Sequence, residues 1–246
     1  MNRGTTPPGV QGDEQTARWV RNMFGDVAPR YDLLNHLLSF NIDKHWRKRT
    51  VHSVREVLMR PEARVLDICC GTGDLMLALQ AERGSPVYGS DFCHPMLQIA
   101  RRKARGGLLF ESDALTLPVA GASLDLITVA FGLRNFADYR KGLREMLRVL
   151  RPGGTAAILE FTQPPNKAFR ALYNFYSLHI LPVLGSAISG SKDAYTYLPE
   201  SVRKFPDAPR LSDVMREEGF EDVRFEFMTF GIVALHIGRA TSQYKR

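Results

Sequence analysis

Residues 64–74, Arg64-Val65-Leu66-Asp67-Ile68-Cys69-Cys70-Gly71-Thr72-Gly73-Asp74, constrain the fold more than any other stretch of the chain. The apolar run over 65–69 predicts a buried parallel strand. Gly71-Thr72-Gly73 predicts a tight turn, and the apolar-periodic segment 75–79 predicts a helix directly after it. Strand, glycine turn and helix together form the entry to a nucleotide site in an open α/β sheet. Glycine permits the close backbone approach that such a turn requires. A third glycine is missing, since Leu75 and Met76 follow Asp74. Asp67 and Asp74 also place carboxylates where a dinucleotide would put its pyrophosphate, although a helix N-terminus by itself favours anions. A cationic ligand is therefore expected.

The pattern continues downstream. A strand over 86–90 ends at Asp91, 20 residues beyond Gly71, the spacing of a ribose-binding carboxylate. The bland alternative for Asp91 is an N-cap of the next helix, 95–105. A third strand, 107–111, leads to Asp113 and Ala114, which share the same rim; alone, an Asp there is a turn residue. The fourth strand, 124–130, runs into Phe131-Gly132-Leu133-Arg134-Asn135-Phe136. Its carboxyl end is where open α/β sheets hold ligands, so Arg134 and Asn135 are candidate polar groups in an apolar pocket. A helix over 139–150 stops at Arg151-Pro152-Gly153-Gly154, and a fifth strand over 155–160 carries Glu160 onto the rim. Strands over 223–229 and 232–237, joined at Gly231, are expected to be antiparallel. The expected fold is thus a Rossmann-like α/β domain with a mostly parallel seven-stranded sheet and helices on both faces.

Two segments exceed what that core needs. Helices over 16–28, 31–38 and 46–58 precede the first strand, and they act either as a cap on the sheet edge or, as we favour, a lid over the crevice. Residues 169–189 are rich in Leu, Ile, Phe and Tyr. They suit a cavity for a long hydrocarbon, and core packing explains them equally well, while 191–206 reads as a loop and then a helix start. The expected organisation is a disordered tail at 1–15 and one domain over 16–240. Within that domain we expect a lid at 16–60, a cofactor core at 63–162, a substrate cap at 164–206 and a closing helix and strand pair at 207–240. Residues 241–246 form a tail. Three cysteines give no disulfide framework or metal pair, which points to a reducing cytoplasm. No apolar run approaches the ~20 residues of a membrane span. Lys and Arg outnumber Asp and Glu by 33 to 26, which suits nucleic acid, an anionic membrane or neither. Of the two basic clusters, 101–105 is expected to be a solvated helix face. The other, 44–49, has Trp46 interleaved and is the stronger candidate for a surface contact.

With these residues in view, the chain resembles the class I S-adenosylmethionine-dependent methyltransferases, and among them the quinone-biosynthesis C-methyltransferases. Several motifs appear in order. They are Phe24-Gly25-Asp26-Val27-Ala28-Pro29-Arg30-Tyr31-Asp32 with Asn35 and Ser39, the glycine motif, Phe131-Gly132-Leu133-Arg134-Asn135, Arg151-Pro152-Gly153-Gly154, Leu159-Glu160-Phe161, and Tyr195-Thr196-Tyr197-Leu198-Pro199-Glu200-Ser201. S-adenosylmethionine, with its ammonium and sulfonium, is the cationic ligand the resemblance implies. Implied cofactor contacts are Tyr31, Asp67, Gly71, Thr72, Gly73, Asp91, Phe92, Asp113 and Ala114, with Ala130 where the family often has serine. No metal is expected. The implied reaction is C-methylation of a polyprenylated quinol, demethylmenaquinol first and a 2-methoxy-6-polyprenyl-1,4-benzoquinol as the alternative. Arg134, Asn135 and Tyr197 are the expected catalytic residues. Arg134 would acidify a ring hydroxyl whose ordinary pKa is ~10, and Asn135 would orient it. A salt bridge from Arg134 to Glu160 is the structural alternative, and Asp113, Asp91, Tyr197 and water are open as proton acceptor. The resemblance also implies transient peripheral contact with a membrane and allows a homodimer, with no nucleic acid. Rival functions are an RNA methyltransferase, disfavoured by Phe-Gly-Leu-Arg-Asn where an Asn/Asp-Pro-Pro-aromatic motif would stand, and a silent S-adenosylmethionine-binding scaffold.

Overall fold

The computed structural model describes residues 10, 12–104, 107–180, 182 and 192–241, with 192–196 as backbone alone. Seven strands form one sheet in the order β3-β2-β1-β4-β5-β7-β6. They are β1 (Val65–Ile68), β2 (Tyr88–Asp91), β3 (Leu108–Glu111), β4 (Leu124–Ala130), β5 (Leu150–Phe161), β6 (Phe220–Met228) and β7 (Val233–Ala240). β1 through β5 pair in parallel, and β7 runs antiparallel to both β5 and β6. The seven-stranded, mostly parallel expectation is therefore met.

Successive residues of the central strands feed two cores, as a sheet covered on both faces requires. Leu66, Ile68, Ile127, Val129, Ala156 and Ile158 face α7 (Tyr139–Val149) and its neighbours on one side. Val65, Leu126, Ala157 and Leu159 face the other side. That second core also receives Trp46, Val51, Val54 and Leu58 from α3 (Ile42–Ser53) and α4 (Arg55–Leu58), besides α5 (Asp74–Arg83). The expected N-terminal lid thus divides. α3 and α4 cover the sheet, whereas α1 (Asp13–Val27) and α2 (Tyr31–Leu38) lie at the rim. α1 packs on α6 (His94–Lys103) and on the later helix over Lys192–Lys204.

The structure moves several sequence boundaries. α1 begins at Asp13, inside the stretch expected to be a tail; residues 1–9, 11 and 242–246 lie outside the described residues. β5 starts at Leu150 instead of 155, because Arg151-Pro152-Gly153-Gly154 is absorbed as an irregularity of the strand. In the cap, α8 (Lys167–Phe175) passes into a π-helical turn, Tyr176–Ile180, and 192–204 form a continuous helix, α9, instead of a loop and helix start. Residues 181 and 183–191 of the apolar segment lie outside the described residues. α10 (Ala208–Glu217) then leads into β6.

Where β1 and β4 end, the backbone is crowded. A Cβ on Gly132 would lie 2.7 Å from Cβ of Cys69 and 3.0 Å from Cγ2 of Val129. Gly132 is thus required for close approach. Gly132→Ala should lower stability by about 1–3 kcal/mol, the usual cost of overpacking. Urea denaturation checks this, and a midpoint equal to that of the parent would contradict it.

Candidate active site

The glycine turn folds as the sequence implies. Gly71 and Gly73 take φ of 55° and 90°, and Gly73 N–H donates to the Cys70 carbonyl at 2.8 Å. At the end of β2, Asp91 accepts from Gly71 N–H and from Cys93 N–H, both at 2.8 Å. Burial pushes its carboxyl up to about 6 against those bonds. These elements wall a cavity of about 80 Å³ that is also lined by Tyr31, Phe92, Asp113, Ala114 and Ala130. Seven of the ten expected cofactor contacts therefore share one cavity. Ala130 lines it without a hydroxyl.

Asp67, Thr72 and Gly73 lie behind this wall. Asp67 is buried and accepts from Thr128 Oγ1 at 2.5 Å and from Met76 N–H, which ties β1 to β4 and to α5. Burial raises its carboxyl to about 7. Gly73 packs its α-carbon side towards Ala100. Thr72 donates to Asp32 of α2 at 2.5 Å. Lys103 then bridges Asp32 at 2.8 Å and Asp74 at 2.6 Å, while Arg47 joins Asp74 at 3.0 Å to Asp43 at 2.5 Å. This chain of ion pairs fastens α2 and α3 to the glycine turn. Asp74 is thereby paired with two cations and lines the turn from behind, not the cavity itself. His36, Asp43 and Asp74 lie close enough to suit a metal, but the Arg47 guanidinium supplies the positive charge between the two carboxylates.

A second cavity, about 300 Å³, adjoins the first and shares Tyr31 and Phe131 with it. Trp46, Phe131 and Phe161 form an aromatic wall, with Phe131 and Phe161 centroids 4.6 Å apart. Arg134 lines this cavity, with its guanidinium 5.3 Å from the Phe161 centroid. It is also the buried ion pair that the sequence left as an alternative. Nη1 donates to Glu160 Oε1 at 2.8 Å and to the Phe131 carbonyl, the backbone N–H to Glu160 Oε2 at 3.2 Å, and Nε to Ser201 Oγ at 3.2 Å. Ser201 belongs to the Tyr-x-Tyr-Leu-Pro-x-Ser motif.

Two expected catalytic residues are placed differently from the sequence reading. Asn135 lines the first cavity, not the one holding Arg134. A 3₁₀ turn, Leu133–Asn135, explains this, because successive side chains there diverge by about 120°. Nδ2 donates to the Phe131 carbonyl at 3.2 Å, leaving Oδ1 buried and without a hydrogen-bond partner. Tyr197 lines neither cavity. It is buried against Val20 and Met23 of α1, 5.2 Å from the Trp19 ring. Its neighbour Leu198 faces the second cavity instead, about 100° around the helix. Asp91 and Asp113 line the first cavity only, whereas the carboxylate lining the second is Asp43, which the sequence did not single out. Burial raises Asp43, but hydrogen bonds from Arg47, Ser39 and His36 outweigh it and hold the carboxyl below its usual range.

An unpartnered amide oxygen, a raised Asp91 carboxylate and the Asp113 carboxylate on one wall suit a ligand with an ammonium and hydroxyl groups. The residues thus fit S-adenosylmethionine and offer no cationic cradle for a pyrophosphate. Solved structures agree on the fold alone. A SAM-dependent methyltransferase from Thermotoga maritima superposes with a TM-score of 0.62 at 20% identity, covering 90% of this chain and 99% of that one. The cyclase SpnF gives 0.69 at 15%, covering 99% and 100%. Sequence relatives are nearer. The demethylmenaquinone methyltransferase of Thermus thermophilus is 50% identical, covering 88% of this chain and 99% of its own length. That of Deinococcus radiodurans is 46% identical over 97% and 99%. The UbiE C-methyltransferase of Geobacter sulfurreducens is 41% identical over 89% and 87%. With a match running over residues 11–240, the chain belongs to the ubiE/COQ5 methyltransferase family.

Proposed function

We propose that this chain is an S-adenosylmethionine-dependent C-methyltransferase acting on a polyprenylated quinol, with demethylmenaquinol as the substrate. The observation that carries this reading is the pair of adjoining cavities, one acidic and one aromatic, sharing Tyr31 and Phe131 as a common wall. The names of the Thermus thermophilus and Deinococcus radiodurans relatives support the naphthoquinol ring over the benzoquinol. Asp91, Asp113 and the Asn135 amide oxygen would hold the cofactor, with Tyr31 and Phe92 enclosing it. When bound, S-adenosylmethionine supplies an electrophilic methyl on a sulfonium.

The chain's own residues do the rest by positioning and exclusion of water. Trp46, Phe131 and Phe161 offer aromatic faces for a quinol ring. Arg134 would sit beside a ring hydroxyl and favour its ionised form. Glu160 offsets part of that charge while fixing the guanidinium in place. Asp43, held ionised, would accept a hydrogen bond from the second hydroxyl. The tail of such a substrate also calls for transient contact with a membrane. Purified protein given methyl-labelled S-adenosylmethionine should label demethylmenaquinol. Labelling of the benzoquinol or of RNA instead would overturn the assignment.

Two predictions follow from the site. Arg134→Ala leaves Glu160 buried without its cation and should cost about 3–5 kcal/mol of stability as well as turnover. The double variant Arg134→Met/Glu160→Gln should regain folding and cofactor affinity, both measurable by calorimetry, while turnover stays at least ~100-fold down. Recovery of turnover would make Arg134 a structural residue only. Protonation of Asp91 competes with a ligand that needs its carboxylate, so cofactor affinity should fall about tenfold per pH unit below about 6 and level off above it. Asp91→Asn should bind more weakly and without that inflection. A flat profile in the parent would contradict the role.

A further inference from the structure

Two phenylalanines are held in left-handed backbone conformations and yet remain in solvent. Phe40 (φ 53°) is 75% exposed and Phe230 (φ 56°) is 79% exposed. A positive φ is unfavourable for such side chains and normally persists where packing or function requires it. Burial does not explain either residue. Both stand where three segments meet around the second cavity. The turn after α2 and the start of α3 supply Phe40 and Ile42, α8 and its π-helical turn supply Tyr173 and Tyr176, and the β6–β7 turn supplies Thr229 and Ile232. Direct contacts join the segments: Tyr176 Oη donates to the Leu38 carbonyl at 3.1 Å, Trp46 Nε1 to Thr229 Oγ1 at 2.8 Å, and the Phe169 and Phe230 rings lie 5.2 Å apart.

The same segments expose Leu37, Leu172 and Phe175, at 51%, 64% and 58%. Large exposed apolar residues gathered on segments that meet around one opening mark an interaction surface. Its charge is one-sided. Lys167 is exposed, and residues 161–180 and 227–240 contain no Asp or Glu. Lys44 and Lys48 are exposed at a neighbouring groove whose acids are paired, Asp74 with Lys103 and Arg47 and Glu82 with Arg55. The two carboxylates of residues 31–53, Asp32 and Asp43, are turned inward onto Lys103 and Arg47. The basic cluster singled out in the sequence is only partly available, since Arg47 is buried and Arg49 pairs with Glu226 at 2.9 Å.

We propose that this rim seats on the interfacial region of an anionic bilayer, with Phe40, Phe230, Leu172 and Phe175 as inserted anchors and the exposed lysines beside the headgroups. The mouth of the second cavity then opens directly into the acyl region, so that a hydrocarbon tail enters without crossing water. The use of this opening rests on the quinol reading; the surface itself does not. No helix among the described residues is long and apolar enough to cross a membrane.

The test uses the full chain and quinone-free vesicles of three parts phosphatidylcholine to one part phosphatidylglycerol. Wild-type protein should co-sediment at low salt and still in part at ~0.5 M NaCl, where charge attraction is screened. The triple variant Leu172→Ser/Phe175→Ser/Phe230→Ser, none of whose positions lines either cavity, should partition at least ~10-fold more weakly at both salts. Its melting temperature and S-adenosylmethionine affinity should match the parent. Wild type left in the supernatant, or a triple variant that binds as wild type, would overturn the proposal. So would a wild-type dimer that the triple variant converts to monomer with no vesicle binding, since the face would then belong to a second copy. Because the vesicles hold no quinone, failure here leaves the methylation reading standing. Vesicle binding without quinol turnover would leave this surface standing.

Discussion

The turn that follows β4 is the constraint on which the rest of the site depends. Phe131 adopts a left-handed backbone (φ 58°), its N–H donates to the Leu159 carbonyl at 2.8 Å, and its own carbonyl receives both Arg134 and Asn135. The short 3₁₀ turn then sends three successive side chains to three places: Leu133 into the core, Arg134 into the aromatic cavity, Asn135 into the acidic one. Strain concentrated at one residue is a feature of functional sites that the surrounding structure over-determines. Here the surrounding structure is the buried Glu160, which accepts from the backbone and the guanidinium of Arg134 together.

Charge is distributed with the same economy. Four ion pairs on the lid side, running from Asp32 through Lys103, Asp74 and Arg47 to Asp43, consume the charges that the sequence places around the glycine turn. What remains facing the first cavity is Asp91 and Asp113, which favour a cationic ligand. Facing the second are Arg134, its charge partly offset by Glu160, and the Arg47–Asp43 ion pair. On the proposed function, the first cavity would hold the positively charged methyl donor and the second the aromatic ring that has to become electron-rich. Tyr31 and Phe131 border both cavities, so the methyl would pass between them.

Much of this was legible in the chain. Apolar runs in β1, β4 and β5, glycines at the first turn and Asp91 at its spacing identify the sheet and one cavity, since these depend on local chemistry. Contacts between residues far apart in sequence were not legible. Nothing near Arg47 announces that it will fold inward onto Asp74 instead of serving a basic face. Tyr197 was misplaced by a single helical step, because its motif was read as a loop and helix start when the whole of Lys192–Lys204 is helical. Leu198 and Ser201 then face the site while Tyr197 supports α1. Asn135 carried the right polarity, but only the tight pitch of its turn decides which cavity it enters.

The most direct measurement is a crystal structure of the protein with S-adenosylhomocysteine and a short-tailed quinol analogue. The account predicts the nucleoside against Asp91 and Asp113, the ring against Phe131 and Phe161 with a hydroxyl towards Arg134, and the sulfur facing the ring between Tyr31 and Phe131. Both molecules in one cavity, or a ring bound away from Arg134, would contradict it.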